Sequence, residues 1–65
     1  QDKVVIRGDM ASRKFAAYYL RDGVVVAVNA VNSAKDFIGG RKLILEKKAP
    51  DPGRLADPAV ALNDL

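Results

Sequence analysis

The 65-residue sequence contains no cysteine, no histidine and no tryptophan. Without cysteine there is no disulfide and no thiolate nucleophile, and without histidine the commonest general base and metal ligand is missing. Natural domains of this size often add a disulfide or a metal, because their hydrophobic cores are small. The sequence therefore predicts no catalytic residue and no metal site, and stability must come from packing, self-association or a neighbouring domain.

The sequence also has no long apolar run and no signal-peptide pattern, so we expect no membrane insertion and a cytoplasmic location. It begins at Gln1, without an initiator methionine, directly in strand-like sequence. We therefore expect residues 1–65 to form one domain, as a fragment of a larger protein, and this fragment begins within a strand.

Short β-rich segments fill the first half of the chain, at residues 3–7, 14–21 and 24–28, and the pairing expected for the last two extends to Ala30. Asp22-Gly23 lies between two apolar runs, which is a strong signal for a hairpin. In that hairpin Tyr19 would face Val26, and we expect their side of the sheet to form the core. The other side, which carries Tyr18, is also apolar and is expected to meet a second copy or a neighbouring domain.

A helix is predicted over residues 34–47, because Ser33 and Asp36 resemble a capping box. The apolar residues expected to face the sheet are Phe37, Ile38, Ile44 and Leu45. The pair Gly39-Gly40 could form a phosphate-cradling turn, a kink or a close approach of helix to sheet. We favour the close approach, because no glycine-rich loop follows a strand here.

After Ala49 the prolines interrupt regular structure, and Asp51 with Pro52 predicts the start of a short helix. An extended tail would be anchored by Leu55, Val60, Leu62 and Leu65. Together these patterns predict an α+β fold, with a three-stranded antiparallel sheet packed on one main helix and a short C-terminal helix.

The net charge of +3 arises from eleven basic and eight acidic residues. The basic residues concentrated around the predicted helix are Lys35, Arg41, Lys42, Lys47 and Lys48. Such a helix can steer an acidic partner, although an ordinary solvated helix face has the same composition. Nucleic-acid binding is not expected, because the adjacent Tyr18 and Tyr19 point to opposite sides of a strand.

The order and spacing of several segments resemble a known family, at residues 5–9, 15–23, 28–32, 36–37, 40–43 and 51–58. The chain resembles the C-terminal, dimerisation-like domain of FAD-dependent, NADH-linked ferredoxin and rubredoxin reductases. That group includes putidaredoxin reductase and the reductase components of aromatic-ring dioxygenases.

The resemblance implies a parent enzyme that passes electrons from NAD(P)H through FAD to an acidic 2Fe-2S ferredoxin or to rubredoxin. The FAD- and NADH-binding domains would lie outside this chain, so no cofactor-binding residue is assigned here and the 65 residues alone are not expected to catalyse. The expected contacts with the parent's domains or the acceptor are Tyr18, Lys35, Arg41, Lys42, Lys47 and Lys48. For Tyr18 the alternative is an aromatic side chain that packs across the strands. The alternative is a freestanding interaction or dimerisation module without a redox role.

Overall fold

The structure is a computed structural model, and it describes residues 2–65. Three strands, β1 (Asp2–Asp9), β2 (Lys14–Arg21) and β3 (Val24–Val31), form one antiparallel sheet in the order β1-β2-β3. The helices follow as α1 (Ala34–Leu45), α2 (Pro52–Ala56) and a 3₁₀ turn (Leu62–Asp64). This architecture confirms the predicted α+β fold.

One face of the sheet carries the core. Helix α1 packs mainly on β3, and α2 packs on β1. The central buried cluster consists of Val5, Ala16, Tyr18, Leu20, Val25, Leu43 and Leu55. The helices therefore share one side of the sheet, and the other side has no covering element among the described residues.

The turn between β2 and β3 forms at Asp22-Gly23, as predicted. Both residues have positive φ, 53° and 85°, which is the backbone of a type I′ hairpin turn. Glycine adopts this conformation without steric cost, and aspartate tolerates it better than most residues. The turn therefore follows directly from its two residues.

The pairing predicted beyond this turn is wrong by one residue. Leu20 pairs with Val25 as expected, but Tyr19 pairs with Ala27 and not with Val26. This irregularity is a β-bulge, in which two residues of one strand oppose one residue of its partner. Because an extra residue reverses the side to which later side chains point, Val25 and Val28 both face the core.

The prediction of which side forms the core is also wrong for β2, although Val28 and Ala30 of β3 pack against the core as expected. Ala16, Tyr18, Leu20 and Val25 have at most 2% of their surface exposed, whereas Tyr19 is 40% exposed. Both sides of β2 are apolar, so alternation alone could not decide between them. The choice depends on which side α1 and α2 cover.

Helix α1 ends at Leu45, two residues before the predicted end. The N–H of Lys47 donates to the carbonyl of Ile44 at 3.1 Å, and that of Lys48 donates to Leu43 at 3.0 Å. With Lys47 at φ 53°, this is a Schellman motif that has lysine in place of the usual glycine. The helix therefore ends through backbone bonding.

The side of α1 that faces the sheet differs from the prediction. Gly40 is buried, and a Cβ added there would lie 3.0–3.1 Å from side-chain atoms of Val28. This confirms that glycine permits a close approach of helix to sheet. Of the four apolar residues predicted to face the sheet, only Ile44 packs against the core. The other three, Phe37, Ile38 and Leu45, are 52%, 69% and 78% exposed.

The C-terminal segment begins as predicted. Asp51 caps α2, since its carboxylate accepts the N–H of Arg54 at 3.1 Å, and Pro52 occupies the first helical position. Leu55 is fully buried, while Leu62 and Leu65 pack partly buried against the core. The tail is thereby fixed to the sheet, although its last residues form a 3₁₀ turn where extended chain was expected.

Candidate functional site

A buried arginine joins β1 to α1 and to the C-terminal segment. Arg7 is 5% exposed, and its Nε lies 3.3 Å from Oδ1 of Asp36. Its Nη1 donates to the carbonyls of Leu55 and Asp57, both at 3.0 Å, and its Nη2 donates to the carbonyl of Val60. A buried charge is tolerated only when it is paired and hydrogen-bonded. This pattern of bonds therefore specifies where the C-terminal segment lies.

Asp36 also accepts the hydroxyls of Tyr18, at 2.7 Å, and of Ser33, at 2.6 Å. The hydroxyl of Ser33 thus donates to the side chain of Asp36 and accepts no N–H of the helix. The two residues of the predicted capping box therefore bond to each other and not to the helix backbone. Burial raises the pKa of Tyr18 well above its ordinary value, and the hydrogen bond and charge of Asp36 raise it further, against a smaller opposing effect of Arg7. The phenol therefore stays protonated as a donor. We call Arg7, Tyr18, Ser33 and Asp36 the Arg7 network.

A groove of about 700 Å³ runs between α1 and the C-terminal segment, and the Arg7 network forms part of its wall. Lys14 and Lys35 also line it. Among the described residues, no buried side-chain nitrogen or oxygen lacks a hydrogen-bond partner. The network therefore joins β1, α1 and the C-terminal segment through polar groups that are all hydrogen-bonded.

Sequence reasoning missed the Arg7 network. A signal for it was present, because Arg7 lies two residues after Val5 in a strand and so points to the same side as an apolar residue. An arginine on the core side of a strand requires a buried acceptor. Asp36 was noticed only as part of a helix cap.

Tyr18, one of the predicted interface residues, lies inside the domain. It has no exposed surface, and its hydroxyl is bound to Asp36. The ring faces the side of the sheet that α1 and α2 cover, which is the opposite side from the one expected. The structure thus places it where it contributes to packing and carries no surface for a partner.

The five predicted basic residues are all exposed and belong to one region. Lys35, Arg41 and Lys42 lie on α1, and Lys47 and Lys48 form the turn that ends it. The guanidinium of Arg41 lies 5.9 Å from the ring centre of Phe37, which is the distance of a cation–π contact. We call the solvent-facing side of the helix the outer face of α1, consisting of Lys35, Phe37, Ile38, Arg41, Lys42 and Leu45.

A second exposed surface lies on the side of the sheet away from the helices. We call it the open sheet face; its apolar side chains are Val4, Ile6, Phe15, Tyr19 and Ala27, which surround the buried Ala17. Val4 and Tyr19 are 55% and 40% exposed. The charged residues on this side of the strands, Asp2 and Arg21, pair with one another at 3.4 Å. The open sheet face is therefore apolar and nearly neutral.

The described residues show neither a cluster of metal-ligating side chains nor a phosphate-binding turn at the glycine pair. Residues 2–65 contain no group of three acidic side chains that could hold a metal ion. Gly39 and Gly40 lie within α1, where side chains of Leu62 and Val28 occupy the space beside them, so they cannot cradle a phosphate. In the described part of the chain, no helix has the length and apolar character needed to span a membrane.

Comparison with known proteins relates the whole chain to one family. The family model described as reductase C-terminal matches residues 1–65. The chain is 45% identical over 64 residues to the ferredoxin reductase subunit of 5,5'-dehydrodivanillate O-demethylase from a Sphingobium species. It is 46% identical over 60 residues to the ferredoxin–NAD(+) reductase component of the anthranilate 1,2-dioxygenase system of Burkholderia cepacia, and 30% identical over 64 residues to putidaredoxin reductase of Pseudomonas putida.

These matches cover 98%, 91% and 98% of this chain, but only 16%, 15% and 15% of the respective relatives. The chain thus spans about one sixth of the length of the curated relatives it matches. The comparisons bear out the family resemblance identified from the sequence.

Proposed function

Because the chain belongs to the reductase C-terminal family, we propose that it is the C-terminal domain of an FAD-dependent NAD(P)H:ferredoxin or rubredoxin oxidoreductase. In that enzyme it would support the flavin site and contribute to the surface on which the electron acceptor docks. The observation that carries the proposal is the whole-chain match to this family, together with relatives that are named as ferredoxin reductases.

The open sheet face supports a position against the rest of the enzyme. An exposed apolar surface that carries almost no net charge is typical of a surface covered by another domain. FAD and NAD(P)H would be held by those other domains, as the family resemblance implies. Its part in the chemistry is then to hold the neighbouring flavin domain in place and to exclude water.

The basic residues on and after α1 support a role in docking. An acidic ferredoxin would be attracted over a distance by Lys35, Arg41, Lys42, Lys47 and Lys48. Such attraction raises the association rate and weakens as salt is added. Tyr18 has no part in this proposal, because it is buried.

The test is to purify the complete protein that contains this chain and to measure three properties. These are bound flavin, oxidation of NADH and of NADPH, and reduction of a 2Fe-2S ferredoxin and of a rubredoxin. The proposal predicts bound FAD and reduction of at least one of the two acceptors. A complete protein without flavin, or one that reduces neither acceptor, would contradict it.

A second candidate function is an interaction or dimerisation module, and the open sheet face is the observation that favours it. If a second copy covers this face, light scattering of the complete protein should give a dimer that dissociates in a Tyr19→Glu variant. A mass that stays monomeric at every concentration would exclude the dimerisation module.

A further inference from the structure

The groove between α1 and the C-terminal segment has the size of a small-molecule site. Its volume of about 700 Å³ lies within the range of about 300–1,000 Å³ that is typical of ligand pockets. Four parts of the chain line it, namely the end of β1, the start of β2, the first two turns of α1 and residues 58–63. The packing of these four parts therefore forms the cavity before any ligand arrives.

The buried guanidinium of Arg7 holds the C-terminal wall of this groove in place. Its Nη1 donates to the carbonyl of Asp57 at 3.0 Å and its Nη2 donates to the carbonyl of Val60, so both ends of the lining segment 58–59 are fixed. Leu62 lies against α1 at a position where a glycine leaves room for it. A wall that is ordered in advance lowers the entropic cost of binding.

The groove carries positive charge that no acidic group balances. Lys14 and Lys35 line it, and neither takes part in an ion pair among residues 2–65. The one carboxylate of the lining, that of Asp36, lies 3.3 Å from Nε of Arg7 and also accepts two hydroxyl groups. Two lysines beside a carboxylate that is already paired attract an anion to the groove.

Lys14 has a position that the docking of an electron acceptor does not explain. Side chains alternate along a strand, and Ala16 and Tyr18 of β2 are buried beneath the helices. Lys14, two residues before Ala16, therefore lies on the helix side of the sheet and at the rim of the groove. It is not one of the basic residues on and after α1, so its role can be tested separately from theirs.

The remaining lining of the groove is mostly apolar, and consists of Ile38, Pro58, Ala59, Ala61 and Leu62 with Gly8, Gly39 and the polar Asn63. Small-molecule sites combine such walls with a few polar groups that fix the orientation of the ligand. An inorganic anion would leave the apolar wall unused, and a neutral apolar molecule would leave the two lysines unused. The lining is therefore complementary to a molecule that has both parts.

We propose that the groove binds a small organic anion, with its carboxylate at Lys14 and Lys35 and its apolar body between Ile38 and Leu62. Charge-assisted hydrogen bonds from the lysines would fix the carboxylate. This site goes beyond the proposed function, since it is separate from the flavin, from the nicotinamide and from the electron acceptor. A molecule bound there joins the sheet, α1 and the C-terminal segment, so it stabilises the folded domain.

That stabilisation gives a readout that is specific to this site. The N–H of Val60 donates to the carbonyl of Asp57 at 3.0 Å, and the N–H of Asp64 donates to that of Ala61 at 2.9 Å. A ligand in the groove should slow hydrogen exchange of these amides, because it opposes local opening of the segment. Binding of the same molecule in another domain would not protect them.

The first experiment uses the complete protein that contains this chain, with benzoate as the probe. Benzamide has the same apolar ring without the charge, and inorganic phosphate has charge without the ring. Calorimetric titration measures the Kd of each, and hydrogen exchange of residues 57–65 locates the site. The proposal predicts one benzoate per chain, slower exchange in that segment, and binding of benzamide and phosphate that is at least about tenfold weaker.

Two charge variants test the lysines. Lys14→Gln with Lys35→Gln should raise the Kd for benzoate about tenfold and remove the protection of residues 57–65. The matched control is Lys3→Gln with Lys47→Gln, which removes two exposed lysines outside the groove and should leave the Kd unchanged. Equal values of Kd in the two variants would contradict the assignment of the lysines.

A steric variant tests the cavity itself. Ala59→Phe places a ring in the groove and should abolish benzoate binding, while Ala11→Phe, at an exposed position in the β1–β2 loop, should not. The lysine variants decide the question if Ala59→Phe does not fold, because they change only exposed side chains.

Three results would overturn the inference. A complete protein that binds no benzoate would show that the groove is closed or covered in the whole molecule. Benzoate binding that every variant retains would place the site in another domain. Phosphate that binds as tightly as benzoate would reduce the site to a charged patch without a pocket for an apolar body. Bound flavin and acceptor reduction, measured on the same protein, decide the proposed function independently of these results.

Discussion

The two sides of α1 differ in a way that reverses the usual amphipathic helix. The buried side holds a carboxylate and a glycine, Asp36 and Gly40, beside Leu43. The exposed side holds Ile38 and Leu45. The helix is therefore fixed by an ion pair and by close backbone approach, and its large apolar residues are left for contacts outside the domain.

This comparison separates stability from partner binding. Changes on the buried side of α1, or in the groups that meet it, should lower the free energy of unfolding. Changes on the outer face of α1 should leave that free energy nearly unchanged and act on the electron acceptor.

The largest effect is expected at Arg7, the partner of the buried side. Arg7→Ala leaves Asp36 and three backbone carbonyls without the guanidinium, which should cost about 3–5 kcal/mol of stability. Urea unfolding followed by circular dichroism measures this cost, and Arg7→Lys gives a milder version if the alanine variant does not fold. The exposed Arg21→Ala, which breaks only the pair with Asp2, is the control and should cost at most about 1 kcal/mol. Equal costs for the two would contradict a central role of the Arg7 network.

Tyr18 should make stability depend on alkaline pH. Its pKa is raised in the folded chain, so the folded state holds the phenol proton more tightly than the unfolded state does. The stabilisation is complete below the unfolded pKa of about 10 and declines as pH rises past it.

Tyr18→Phe should abolish this alkaline decline and cost about 2 kcal/mol at neutral pH, because a hydrogen bond to a charged group is lost. Urea unfolding at a series of pH values gives both quantities. Tyr19→Phe, in the adjacent exposed position, should keep the decline. A Tyr18→Phe variant with the parent's pH profile would show that the phenol does not control it.

The close approach of α1 to the sheet predicts a smaller effect at Gly40. A methyl group there would press on Val28, so Gly40→Ala should cost about 1–2 kcal/mol even though alanine favours helices. Gly39→Ala is the comparison variant: its added Cβ would lie 2.6 Å from Cδ1 and 3.2 Å from Cβ of Leu62, but Cδ1 is the end of a flexible side chain that can rotate away. Thermal unfolding should therefore rank Gly40→Ala below Gly39→Ala in stability, and the opposite order would contradict the assigned approach.

The smallest effect on stability is expected for the basic turn after α1. Lys47→Gln with Lys48→Gln should change the free energy of unfolding by no more than about 0.5 kcal/mol. In the complete enzyme the same change should slow acceptor reduction more at low salt than at high salt, because only long-range attraction is lost. Stopped-flow reduction rates measure it, with the exposed Lys3→Gln as the control. No change at either salt concentration would remove these two lysines from docking.

The features that could be predicted from sequence are those determined by neighbouring residues. Asp22-Gly23 predicts its turn through two residues, and Asp51 with Pro52 predicts the start of α2. The prediction that Gly40 permits a close approach of helix to sheet is confirmed. For the turn and the start of α2 the physical cause lies within a few residues of the chain, and for Gly40 it is the missing side chain, which permits the approach to Val28.

The features that were missed depend on distant residues. The carbonyl groups that Arg7 binds lie 48 to 53 positions further along the chain. Both sides of β2 are apolar, and the bulge opposite Tyr19 and Leu20 has no characteristic sequence. The orientation of α1 follows from Asp36 and Gly40, which a search for large apolar residues passes over.

Hydroxyl-radical footprinting of the complete enzyme, with and without oxidised ferredoxin, tests the account most directly. The account predicts that Tyr19 on the open sheet face is protected in both samples, because the enzyme's other domains cover it. Phe37, Ile38 and Leu45 should react in the free enzyme and become protected when ferredoxin binds. Protection of these three side chains in the free enzyme, or their continued reaction under saturating ferredoxin, would contradict the assignment of the outer face of α1.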